Sequence, residues 1–313
     1  MKSLKILTLI LSLLLTLLLV ACSEGTKVTI GENGNWFLDG VDSGVSATGP
    51  QGPQGEQGEA AVDENPQGLD FYPLPDGTYA VAEGKALYLE QITIPATYNG
   101  KAVTFVENNA FAGCPALTSI TIPASVTSIG SSAFSGCSKL TSITIPASVT
   151  SIGSYAFLYC SALTSVTFAE GSQLTSIGSS AFSGCSKLTS ITIPASVTSI
   201  DNYAFEDCSA LTSITIPASV TSIGGAAFSG CSKLETVTFA EGSQCTSIGY
   251  HAFFGCSALE TVTFAETDGW QVCTSSNFAS NVTNLSASDL ANASTAATYL
   301  KSTYYQYYWR RVA

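Results

Sequence analysis

The 313-residue chain contains a single histidine, His251, and a single methionine, Met1. One imidazole leaves little general acid–base capacity near neutral pH. Charge is scarce as well: Asp, Glu, Lys and Arg make up 11% of the residues, against about 25% in a typical soluble domain. Eleven cations face 23 acids, giving a net charge of -12 at pH 7. Phosphate binding needs clustered Lys and Arg, so this balance excludes nucleic acid as a partner.

The N-terminus has a recognisable order. Lys2 and Lys5 precede a run from Ile6 to Val20 that is apolar apart from Thr8, Ser12 and Thr16, and the run ends at Leu19-Val20-Ala21-Cys22. A small residue directly before a cysteine resembles the lipobox of bacterial lipoproteins. The resemblance implies that residues 1–21 are a signal peptide and that the Cys22 thiol is lipidated and becomes the mature terminus. Removing the leader takes Lys2 and Lys5 with it, which moves the net charge from -12 to -14. Acyl chains contribute roughly 0.8 kcal/mol per buried CH2, so a multiply acylated terminus holds firmly to a membrane.

Residues 22–77 read as a stalk and tether. Lys27-Val28-Thr29-Ile30 and Asn35-Trp36-Phe37-Leu38 flank Gly31-Glu32-Asn33-Gly34, two short β runs around an Asn-Gly turn, which predicts a hairpin. It resembles a stalk module placed ahead of many bacterial surface lipoproteins. Gly49 to Ala60 then holds four collagen-like triplets, too few for an independent triple helix and read as an extended, polyproline-like spacer. Glu56, Glu59, Asp63, Glu64, Asp70 and Asp76 repel one another and keep it stretched.

The centre of the chain is periodic. Cys114, Cys137, Cys160, Cys185, Cys208, Cys231 and Cys256 recur with a spacing of 23, 23, 25, 23, 23 and 25. Three positions before each stands a Phe, from Phe111 to Phe253, preceded by Ala, and a Leu follows three positions after each Cys. A fixed period in the twenties is the signature of a leucine-rich-repeat solenoid, in which no unit buries its apolar set alone. In Leu140-Thr-Ser-Ile143-Thr-Ile145 the alternation turns Ile143 and Ile145 inward and Thr144 outward. Pro146 cannot donate to a ladder and ends the strand. Val149 and Ile152 return to the core through a second extended piece. The following Ser-Ser-Ala-Phe-Ser-Gly-Cys type of segment reads as one helical or 3-10 turn. Both longer units carry their insertion in one place, Phe168-Ala-Glu-Gly-Ser-Gln-Leu174 and Phe239-Ala-Glu-Gly-Ser-Gln-Cys245.

The fold expected is therefore an α/β solenoid of 23–25-residue leucine-rich repeats over residues 78–273. Short parallel strands form one continuous face, short helical turns the other, and residues 274–313 cap the C-terminal end. The unit resembles the BspA-type leucine-rich repeat of bacterial surface antigens, with its Ile-Gly-x-x-Ala-Phe-x-x-Cys and Ile-x-Ile-Pro cores, a likeness that extends over every repeat. That resemblance implies an exported adhesin exposed on the outer envelope. Its partners would be host extracellular-matrix or cell-surface proteins, or other bacteria, met while the lipid alone touches the membrane. It supplies no ligand-contact residue, and no cofactor is implied.

The remaining features admit competing readings. Cysteines spaced a whole repeat apart share nothing with a Cys-x-x-Cys knuckle, so they read as buried free thiols acting as small apolar residues. His251 occupies a position filled by Ser132, Tyr155, Ser180, Tyr203 and Ala226, a variability that marks a surface site. Tyr304, Tyr305, Tyr307, Tyr308 and Trp309 cover an open solenoid end or stack a ligand. A glycosidase needs two carboxylates about 5 to 10 Å apart in a cleft, and Asp201, Glu206 and Asp207 form the single local cluster, so no catalytic or metal role is assigned. The candidate binding residues are the outward column Thr121, Thr144, Thr167, Thr192, Thr215, Thr238 and Thr263. Read blandly, these threonines are a solvated, β-favouring face. Regular threonine arrays also occur in ice-binding proteins, which leaves a structural or ice- or polysaccharide-binding solenoid as the alternative to adhesion.

Overall fold

The computed structural model describes residues 28–30, 35–38, 41–46, 65, 67–278 and 281–312. Two compact units divide the chain, Met1–Val62 and Asp63–Ala313. In the first, Val28–Ile30 pairs antiparallel with Asn35–Leu38, the predicted hairpin, and a third strand, Val41–Ser46, continues the sheet. Cys22 and the collagen-like triplets lie outside the described residues.

The second unit is a β-solenoid whose coils each contribute two short strands. The first strand, Ser142–Ile145 in one coil, alternates as its sequence demands: Ile143 and Ile145 are buried while Ser142 and Thr144 face solvent. The second, Ser151–Ile152, pairs in parallel with Ser128–Ile129 before it and Ser176–Ile177 after it. Ladder continuity runs opposite to expectation. The second strands form an unbroken parallel column from Lys101–Val106 to Ser247–Ile248, part of a 13-stranded sheet. The first strands fall into separate sheets, pairing Gln91–Thr93 with Ser119–Thr121, then Ser142–Ile145, Ser165–Phe168 and Ser190–Ile191, then Ser213–Ile216, Thr236–Phe239 and Thr261–Thr263. Each three-stranded sheet is centred on a lengthened coil. The second sheet repeats the first, with Ser213–Ile216 standing as Ser142–Ile145 stood. The length variation is thus written into the sheet topology.

The segment expected to be a helical turn is a run of linked turns instead. Ala133, Ser135 and Cys137 donate locally to Gly130, Ser132 and Phe134, while the N–H groups between them cross over: Ser132 to Ser154, Phe134 to Ala156 and Gly136 to Leu158. A helix would spend every N–H inside the segment. Here alternate groups bond the next coil, which left-handed backbone at Ser132 (φ 56) and Gly136 (φ 74) makes possible. The turns therefore fasten one coil to the next.

Between the strands and these turns lies the core. The seven Phe rings from Phe111 to Phe253 form one stack, with centroids 5.1–5.5 Å apart and planes within 10° of parallel. The thiols do more than fill space: each repeat thiol from Cys137 to Cys256 donates to the carbonyl of the preceding coil's Phe, at 3.1–3.3 Å. Cys114, Cys137, Cys160, Cys185, Cys208, Cys231, Cys245 and Cys256 are buried and unbridged.

At the C-terminal end the chain turns back. Trp270–Cys273 and Tyr308–Arg311 pair antiparallel, and the latter also pairs with Ser247–Ile248, so it lies between the end of the parallel column and Trp270–Cys273. Two short helices, Ala287–Ala291 and Ala293–Thr298, and a wide turn over Tyr299–Thr303 bring Leu290, Ala296, Ala297 and Leu300 into the core.

Candidate binding surfaces

The outward threonine column stands where the alternation puts it. Thr121, Thr144, Thr167, Thr192, Thr215 and Thr263 are exposed and Thr238 is half-buried. In-register pairs such as Thr144 with Thr167 and Thr215 with Thr238 place these side chains about 4.8 Å apart. Glu235 and Glu260 enter at the C-terminal end of the same face, where earlier coils carry Thr, and both are exposed.

This face is not flat. Beside the first lengthened coil a notch of about 490 Å³ opens between Phe168-Ala169, Gly171-Ser172 and the next coil's Pro194 to Ser196, with Thr167 and Thr192 on its rim. The Ser196 hydroxyl there is buried without a partner, whereas the equivalent Ser148 and Ser219 hydroxyls donate to Val126 and Val197 carbonyls at 2.6 Å. Residue-by-residue reading missed this notch, although the insertion at Phe168 to Leu174 marked its place.

Other hydroxyls serve the scaffold. Thr127, Thr150, Thr175, Thr198, Thr221 and Thr246 each donate from Oγ1 to the carbonyl one coil earlier. The Arg311 amide donates to the Thr246 carbonyl, extending this chain of bonds into the C-terminal strand.

Variability at the His251 position does not leave the imidazole on an open surface. It is half-buried, stacked 5.0 Å from Phe254 and 5.7 Å from Tyr305, with Tyr250 at 3.9 Å, and its Nε2 is enclosed without a partner. Burial lowers its pKa, so the ring is neutral at pH 7. Of the terminal aromatics, Trp309 is buried and Tyr304, Tyr305, Tyr307 and Tyr308 are half-buried. Among the described residues, no three His, Cys, Asp or Glu side chains come together as metal ligands. Burial raises the pKa of Asp201, and burial followed by the nearby Asp207 charge raises that of Glu206.

The coil geometry agrees with comparison against known families. Six copies of the BspA type leucine rich repeat region match residues 84–212 and 171–285, which is more than half of the chain. The chain belongs to the BspA-type leucine-rich-repeat family. Among solved relatives of this BspA-type protein, the T. pallidum leucine-rich-repeat protein TpLRR is 29% identical with a TM-score of 0.56, covering 62% of this chain and 89% of that one. A leucine-rich-repeat protein from Eubacterium ventriosum is also 29% identical, with a TM-score of 0.50 over 59% of this chain and 49% of that one. A leucine rich cell surface protein from Faecalibacterium prausnitzii is 28% identical, with a TM-score of 0.43 over 63% of this chain and 75% of that one. No curated protein matches the chain. Stacked repeats of this kind present one extended surface, which makes the BspA-type solenoid a scaffold for binding proteins.

Proposed function

We propose that the protein is a lipid-anchored adhesin of the bacterial envelope, holding host matrix or cell-surface molecules, or other bacteria, on its threonine face. The observation that carries this reading is the column of exposed, uncharged threonines repeated from coil to coil. Seven strands at about 4.8 Å each span roughly 30 Å, a length that suits a protein or glycan surface better than a metabolite. Many weak polar contacts on one molecule, multiplied by many copies on a cell, give avidity with little steering by charge.

The other parts serve presentation. Lipidation at Cys22 holds the chain to the outer membrane, the segment that follows it carries the solenoid away, and residues 78–273 bind. The tether ends before residue 77, because Asp70–Pro73 already pairs with Tyr79–Ala82 in the solenoid sheet. Residues 274–313 cap the end, because Tyr308–Arg311 supplies hydrogen bonds to a strand edge that would otherwise be open. The test is a triple variant, Thr144→Arg, Thr192→Arg and Thr215→Arg, presented on cells. It should keep the wild-type circular dichroism spectrum and lose adhesion to immobilised matrix proteins and partner bacteria. Unchanged adhesion by the folded variant moves the site off this face. Separately, Cys22→Ser should leave an unprocessed or shed protein, and normal processing with membrane retention would refute the anchor.

A further inference from the structure

A second surface lies away from the threonine face, where the second strand of each coil enters the linked turns. The left-handed position of those turns alternates in size along the solenoid: Ser132, Tyr155, Ser180, Tyr203, Ala226, His251. Large side chains therefore stand on every second coil, and small ones lie in the gaps. One gap is emptied further, since Gly224-Gly225-Ala226-Ala227 has the smallest side chains of any coil at these positions. The result is an open trough of about 1180 Å³.

Its walls and rim have a distinct chemistry. Tyr203 stands on one side, 46% exposed, and Phe254, also 46% exposed, stands on the other, backed by the neutral His251 and Tyr250. The Phe rings beneath, Phe205, Phe228 and Phe253, step 5.3 and 5.2 Å, so the two walls are about two coil rises apart. Asp201, Asn202 and Glu206 line one flank, and Ser222, Ser229 and Ser247 line the floor. Asn202 is held in place, its Oδ1 accepting from the Gly225 amide at 2.6 Å. Arg310 closes the C-terminal end, positioned over the Phe278 ring and donating to Gln271 at 2.9 Å.

We propose that this trough binds a neutral oligosaccharide. Flat aromatic faces offer the C–H face of a sugar ring a stacking surface. Carboxylates, an amide and hydroxyls in the lining match a ligand whose edges are all hydroxyl groups. Two aromatic walls two coil rises apart match alternate sugars along an extended chain rather than a single compact ring. The acidic flank turns away anionic glycans, and the open, polar floor offers no enclosure for a lipid. This site is independent of the adhesive face and does not rest on it.

Repetition within the chain supplies an unusually clean test. Ala226→Tyr places in the gap the side chain that the same left-handed position already carries at Tyr155 (φ 62) and Tyr203 (φ 59), against φ 52 at Ala226. The backbone at Ala226 thus already has the conformation that carries a tyrosine at those two positions. Titration calorimetry on the full chain with xylo-, cello- and manno-hexaose should detect millimolar or tighter binding of at least one. Ala226→Tyr should abolish that binding, and Tyr203→Ala should weaken it by roughly tenfold, as loss of one stacking partner predicts. The Thr144→Arg, Thr192→Arg, Thr215→Arg variant should bind the oligosaccharide like wild type, which separates this site from the adhesive one. No binding of any of the three sugars, or equal binding by folded Ala226→Tyr, overturns the proposal. So does tighter binding of a polyanionic glycan such as heparin at the same site.

Discussion

At the scale of single residues, the thiols and the left-handed positions carry the testable chemistry. Burial raises the pKa of Cys114 to about 11 and of Cys137, Cys185 and Cys245 to about 12, from an ordinary 9.0. An unfolded chain therefore loses these protons first as pH climbs. Stability linked to them is complete below about pH 9 and falls from there towards about pH 12. Urea midpoints measured from about pH 8 to about pH 11 should hold level and then drop, and Cys137→Ala with Cys185→Ala should make the drop shallower. An unchanged slope would mean the thiols ionise equally well in the folded state. Tyr159 makes a second case: it holds φ 56 where most coils have Gly, and it overlies Gly184, where an added Cβ would collide with its ring. Tyr159→Gly should relieve about 1 kcal/mol of left-handed strain. Gly184→Ala should then cost less in that background than in wild type, a coupling that a double-mutant cycle reads directly.

At the scale of elements, strands were more legible in the sequence than turns. Alternation in Ser-Ile-Thr-Ile fixes which face each residue takes, and a proline closes the strand, so local rules suffice for both. The turn segment reads wrongly as a helix because Ser-Ser-Ala-Phe-Ser-Gly-Cys has helix-compatible spacing, while its true partners are amides and carbonyls of the neighbouring coil. The emptied trough at Gly225 and Ala226 is hidden for a similar reason. It exists only relative to neighbouring coils, and no single repeat displays it. The C-terminal strand is intermediate: its aromatics are visible in the sequence, but its insertion between Ser247–Ile248 and Trp270–Cys273 is not. That placement makes Trp309 central, since it pairs with both Ile248 and Val272 and is 2% exposed. Trp309→Ala should cost about 3–5 kcal/mol. Hydrogen exchange should show the loss starting at the amides of Gly249 and Gly224, with Gly153 near the middle of the column protected longest. Uniform loss along the column would mean that the last strand does not guard that end.

At the scale of the molecule, the 23, 23, 25 rhythm of the cysteines defines a block of three coils, and the chain holds two such blocks in succession. Residues 118–188 and 189–259 begin with the same Thr-Ser-Ile-Thr-Ile-Pro and end with the same Leu after Cys. Each three-stranded sheet is built around the lengthened coil of its block. Stability in such a stack is nearly a sum of unit and nearest-neighbour terms. Deleting residues 118–188 joins Leu117 to Thr189 and sets the second block on the coil that originally carried the first. The register of strands, Phe rings and thiols is preserved across the join. The shortened chain should fold, with a smaller urea m-value in proportion to the surface it no longer buries. It also separates the two proposed sites. The trough loses Ser179 from one flank, keeps its lining from Ile200 to Arg310, and should bind hexaose as before. The threonine face loses Thr121, Thr144 and Thr167, so cell adhesion should fall steeply, because avidity depends on how many contacts engage together. A shortened chain that stays unfolded would show that the blocks are not interchangeable, and full adhesion by a folded one would show that the face does not act as a sum of its coils.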